Sequence, residues 1–125
     1  DDGAAAFAHR VASVCGWESD HLEKTRLSGA EVKMEPRCLE ANGRDVVIVD
    51  DIISTGGTLA TAAAMLMEQG AQSVTSVCVH GVLAEGAYSR LLSGSIREVA
   101  CSDTLERACS RYSAGRAIAD GIRRC

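Results

Sequence analysis

The chain has 125 residues, 46% of them hydrophobic and 24% charged, with a net charge of −4. That is one domain's worth of chain, able to bury a core without staples, and its acidity argues against a general nucleic-acid surface, because phosphate-tracking proteins are basic. No apolar run approaches the roughly 20 residues of a membrane span, and no signal or transit pattern opens the chain, so neither nucleic acid nor membrane is expected as a partner.

The predicted elements alternate helix and strand. Ala4, Phe7, Ala8, Val11, Ala12 and Cys15 recur at helical spacing, which predicts a helix over 4–15 closed by Gly16. Residues 17–23 read as a strand, and 24–34 as a polar loop without periodicity. After Pro36 and the Asn42-Gly43 turn come a strand over 45–50, a helix over 58–69 ended by Gly70, and a second strand over 73–80. A helix over 85–92, a third strand over 96–101 and a terminal helix over about 113–124 complete the chain. This order predicts an α/β domain with an open, mostly parallel sheet flanked by helices and joined by right-handed crossovers.

Six cysteines (Cys15, Cys38, Cys78, Cys101, Cys109, Cys125) include no C-x-x-C pair, which weakens zinc and disulfide readings alike. Cys15, Cys78 and Cys101 fall in or beside apolar segments, where cysteine acts as a small hydrophobe. Reduced thiols in the cytoplasm are the expectation.

Residues 46–58 carry the chemistry. Val46 to Val49 is apolar throughout, as in a parallel strand covered on both faces, and it ends in Asp50 and Asp51. Ser54, Thr55, Gly56, Gly57 and Thr58 then lead into an alanine-rich helix, at the sheet edge where open α/β folds bind ligands. Two glycines let the backbone approach an anion closely, the helix N-terminus adds unpaired donors and partial positive charge, and three hydroxyls add more donors. Carboxylates accept only, which suits a ribose cis-diol. The segment therefore reads as a cradle for a phosphorylated ribose rather than an ordinary strand–turn–helix joint. Neither a G-x-x-x-x-G-K-[ST] loop nor a strand followed by G-x-G-x-x-G occurs.

The cradle resembles the ribose-phosphate motif shared by type I phosphoribosyltransferases and phosphoribosyl-pyrophosphate (PRPP) synthetases. Further segments favour the second family. Residues 23–29, Glu-Lys-Thr-Arg-Leu-Ser-Gly, look like the archaeal form of its catalytic loop, and Asp1-Asp2-Gly3 looks like the tail of its Ser/Ala-Pro-Asp-x-Gly segment. Residues 78–83 and 102–105 resemble its His-containing strand end and its Thr-Asp-Thr-Ile segment. The resemblance covers residues 1–125 and implies the C-terminal, phosphoribosyltransferase-like half of an archaeal-type ribose-phosphate pyrophosphokinase, a fragment without the N-terminal ATP-binding half.

What this resemblance implies is transfer of pyrophosphate from ATP to O1 of ribose 5-phosphate, giving PRPP and AMP, with Mg²⁺, in a homo-oligomer. Asp50 would hold the ribose hydroxyls with Asp51 as the second acid, and Ser54, Thr55, Gly56, Gly57 and Thr58 would hold the 5-phosphate. Lys24 and Arg26 would be the catalytic cations, and Asp1 a ligand to Mg²⁺. The fragment alone is expected to lack activity. A phosphoribosyltransferase that joins PRPP to a base, and a non-catalytic sensor of PRPP, stand as alternatives.

Overall fold

The computed structural model describes the backbone of residues 2–21, 24–26, 32–34 and 40–125, and the side chains of 5–21 and 40–125. Helix α1 spans Asp2–Cys15 and stops at Gly16, whose φ is +69°. Residues 17–21 carry no strand, contrary to the expectation for 17–23, of which 22 and 23 lie outside the described residues. Trp17 is largely exposed. The expected loop over 24–34 contains instead two short antiparallel strands, β1 (Lys24–Arg26) and β2 (Val32–Met34), in register Lys24 with Met34 and Arg26 with Val32. Three-residue strands of mixed polar residues leave no periodicity to read.

From residue 45 onward the alternating pattern holds. Strand β3 (Asp45–Ile53) leads to helix α2 (Gly57–Glu68), strand β4 (Ser73–Gly81), helix α3 (Ala87–Ser93), strand β5 (Glu98–Ser102), strand β6 (Ser110–Tyr112) and helix α4 (Gly115–Arg123). The sheet runs β3-β4-β5-β6, parallel throughout. β6 was not expected: Ser-Arg-Tyr lacks a strand-like apolar run, and its pairing with β5 is a tertiary effect.

One face of the sheet holds the core. Val74 and Cys78 of β4 and Val99 and Cys101 of β5 pack with Leu59, Ala63 and Leu66 of α2 and Leu91 of α3, and Val46 and Ile48 of β3 border them. Each large apolar side chain buried there contributes about 1.5–3 kcal/mol. Ser76 sits on the same face, fully buried, and its Oγ has no hydrogen-bond partner among the described residues. Cys78 and Cys101 behave as the expected small hydrophobes and Cys109 is buried as well, whereas Cys15, expected to do the same, is exposed. The opposite face carries α1, with Phe7 and Val11 over Val49, Val77 and Val79 around a cavity of about 320 Å³. A larger cavity of about 1230 Å³ runs between α1, β3 and α2 and has Asp50 and Thr58 among its lining residues.

Candidate functional site

The parallel strands bring residues 50–58, 80–86 and 102–107 to one carboxyl edge. Asp50 pairs with Cys78 and Ile52 with His80, while Asp51 is passed over in the register. Asp50 is half-buried and Asp51 exposed. Asp50 Oδ1 accepts the Asp51 N–H at 2.9 Å, and Asp51 Oδ1 accepts the Ile52 N–H at 2.8 Å. Asp50 lines the same cavity as Thr58, so the first acid and the start of α2 border a common space.

The loop from Ser54 to Gly56 is shaped from behind. The carbonyl of Ile53 accepts the Leu83 N–H at 2.9 Å, and that of Ser54 accepts the Ala84 N–H at 3.1 Å. The Thr55 carbonyl accepts Nη1 of Arg90 at 2.9 Å. Two successive carbonyls thus face the turn that follows β4, and the third faces an arginine of α3. In a trans peptide the N–H points opposite its carbonyl, and no peptide here is cis. The N–H groups of Thr55 and Gly56 therefore point away from those partners, and Gly57 and Thr58 follow as the start of α2, with the unpaired donors of its first turn. A helix start is where unpaired donors and partial positive charge favour an anion.

The glycines divide the work. Gly56 has φ +74°, and a Cβ there would lie 3.1 Å from Leu91 Cδ1, so it fits only as glycine against the core. A Cβ on Gly57 would meet nothing within 4 Å, which places Gly57 against open space. Gly56, with no side-chain cap, is the N-cap of α2, so the helix begins one residue before Thr58.

The bracing turn is itself strained. Leu83 (φ +50°) and Glu85 (φ +53°) adopt left-handed backbone that costs a residue with a Cβ roughly 1–2 kcal/mol. Arg90 Nη2 donates to the Glu85 carbonyl at 3.1 Å, and Arg107 donates through Nε to Gly81 O at 3.1 Å and through Nη2 to Val82 O at 3.0 Å. Neither arginine stands out in the sequence, where each looks like a solvated surface charge.

His80 is tied into structure: Nδ1 lies 2.9 Å from Thr104 Oγ1, within a set that joins Ser102 Oγ to the Val79 carbonyl at 2.7 Å. Asp103 Oδ1 accepts the Ala114 N–H at 2.8 Å ahead of α4, and the Ser113 hydroxyl, then this N–H, hold its carboxyl below the usual range. Lys24 and Arg26 hold alternate positions of β1; their side chains, and Asp1, lie outside the described residues. Among the described residues no three His, Cys, Asp or Glu side chains gather as a metal cluster, and no helix is long and apolar enough to cross a membrane.

A parallel sheet flanked by helices, with a strand-end acid ahead of a helix start at its carboxyl edge, defines an open α/β domain. Comparison with known proteins narrows that class. The family model described as phosphoribosyl transferase domain matches residues 1–102, and the chain belongs to this family. It is similar to ribose-phosphate pyrophosphokinases of Methanopyrus kandleri (43% identity over 98% of this chain and 42% of the relative) and Pyrococcus abyssi (48% over 90% and 39%). The crystal structure of phosphoribosylpyrophosphate synthetase from Mycobacterium smegmatis matches 97% of this chain and 41% of that one, with TM-score 0.72 and 29% identity. The chain spans less than half the length of these relatives.

Proposed function

We propose that this chain is the C-terminal, ribose 5-phosphate-binding half of a ribose-phosphate pyrophosphokinase, which moves pyrophosphate from ATP to O1 of ribose 5-phosphate and releases AMP. The observation that carries the reading is the loop whose carbonyls at Ile53, Ser54 and Thr55 are all engaged, which turns the Thr55 and Gly56 N–H groups away from those partners just ahead of the α2 N-terminus. The similarity to archaeal ribose-phosphate pyrophosphokinases supports the choice of reaction.

In this reading the N–H groups of Thr55, Gly56 and Gly57, with the hydroxyls of Ser54, Thr55 and Thr58, hold the 5-phosphate. Asp50 accepts from the ribose diol, and Asp51 stands beside it as the second acid. Phosphoryl-type transfer asks the protein for alignment and for positive charge where negative charge gathers. Lys24, a mobile point charge, and Arg26, a planar fork, supply that charge at the transferring group and at the leaving AMP phosphate. Mg²⁺ keeps several waters and binds through one or two carboxylates plus substrate phosphates; Asp1 is its proposed ligand, and it lies outside the described residues. When bound, the ion neutralises part of the polyphosphate charge. ATP would be held mainly by the N-terminal half and a neighbouring copy of the chain in a cytoplasmic homo-oligomer.

The test uses the full-length protein with ATP, Mg²⁺ and ribose 5-phosphate, and the expected product is AMP. Lys24→Ala should cut turnover severely while ribose 5-phosphate affinity holds. Undiminished turnover in that variant would remove Lys24 from the mechanism. Consumption of PRPP with a free base would identify a transferase instead, and binding with neither turnover a sensor.

A further inference from the structure

Of the three carbonyls that shape the phosphate loop, two are held by backbone. The third, at Thr55, is held by the guanidinium of Arg90, which also bonds the Glu85 carbonyl and so clamps loop to turn. That third peptide is the one most able to turn over. It precedes Gly56, and glycine populates both signs of φ with little steric cost, so the Thr55–Gly56 plane has a flipped alternative available. Flipped, it would aim a carbonyl oxygen at the anion and turn the Gly56 N–H away.

We propose that Arg90 is a positioning residue for the ribose 5-phosphate site, selecting the orientation of the Thr55–Gly56 peptide in which its N–H faces the phosphate. Arg90 acts through the Thr55 carbonyl and need not touch substrate. The proposal rests on the sugar-phosphate reading above. The apparent affinity of a site falls by the fraction of molecules in the competent arrangement, so a plane correctly oriented in about one molecule in ten without Arg90 gives a roughly tenfold loss. Bound phosphate would restore the orientation, so the rate at saturation should survive.

The experiment measures ribose 5-phosphate binding by calorimetry and steady-state kinetics in the full-length protein, native and Arg90→Ala. The expected result is a ribose 5-phosphate Kd and KM raised about tenfold, with kcat and the KM for ATP changed less than about twofold. Arg90→Lys, whose amine can reach the Thr55 carbonyl but cannot fork to Glu85, should recover part of the loss. If Arg90→Ala fails to fold, Arg90→Met, which fills the same space but cannot donate to the Thr55 carbonyl, should show the same rise in Kd, and native affinity in it would overturn the proposal. An unchanged Kd in Arg90→Ala would refute the proposal, as would a kcat lowered and an ATP KM raised to the same degree as the ribose 5-phosphate KM, which is the pattern of general structural damage. A native protein that turns over no ATP yet binds ribose 5-phosphate leaves Arg90 to be judged by calorimetry alone. A native protein that binds no ribose 5-phosphate overturns both readings.

Discussion

Gly56 and Gly57 are adjacent and chemically identical, yet the structure assigns them opposite sensitivities. Gly56→Ala forces a side chain into left-handed backbone, at about 1–2 kcal/mol, and places its Cβ 3.1 Å from three carbons of Leu91, a side chain only 1% exposed. Overpacking of that kind costs about 1–3 kcal/mol, so the sum is roughly 2–5 kcal/mol against a total stability of about 5–15. Gly57→Ala has ordinary backbone and open space, and alanine favours a helix by up to about 1 kcal/mol, so stability should hold or rise slightly. Its methyl projects into the space proposed for the phosphate, and ribose 5-phosphate affinity should fall by about tenfold or more, on the order of 1.4 kcal/mol. Urea denaturation with parallel calorimetric titration reads both quantities. A native denaturation midpoint for Gly56→Ala would refute the packing argument, and native affinity in Gly57→Ala would refute the placement of the phosphate.

Other expectations bear on the core and the acids. Asp50→Asn should weaken binding of ribose 5-phosphate more than that of inorganic phosphate, and equal losses for the two would count against diol recognition by Asp50. Ser76→Ala removes a buried hydroxyl without a partner among the described residues and should raise stability by about 1 kcal/mol; a lower urea midpoint would mean that the hydroxyl is satisfied. Burial first, then the neighbouring Cys101 thiol, push the Cys78 and Cys109 thiols up to about 11. In unfolded chain a thiol titrates near about 8.5, so above that pH the unfolded state holds fewer protons than the folded one. Stability should be level below about pH 8.5, fall by about 1.4 kcal/mol per pH unit per thiol up to about 11, and then level off. Cys109→Ala should make the decline shallower, and an equally steep decline in that variant would exclude its thiol as a source.

Much of the fold was legible because its periodicities are strong. The unbroken apolar run at Val46 to Val49 announces a parallel strand, and Gly16 and Gly70 mark helix ends where φ is positive. The joint between β3 and α2 was legible for a related reason: an apolar run ending in acids and a glycine pair before an alanine-rich stretch mark where strand gives way to helix. β1, β2 and β6 were not, since each has three residues, too few to show a strand period, and forms only through its pairing. The bracing of the loop was invisible for a deeper reason. It uses backbone N–H groups of Leu83 and Ala84, which every residue except proline possesses, and places Leu83 and Glu85 in a conformation their side chains disfavour. Nothing in the identity of Arg90 separates it from a solvated helix arginine until the Thr55 carbonyl is seen beside it.

The turn after β4 has one more consequence. Because Leu83 and Ala84 donate directly to Ile53 and Ser54, the two crossovers of the sheet cannot loosen one at a time at this edge. Opening the loop before α2 exposes amides thirty residues later in the chain, and the segments should exchange their hydrogens with solvent as one cooperative unit. Inherited or engineered changes at 83–86 therefore act on the loop before α2 without lying in it, and the two stretches belong together when tolerance to substitution is mapped.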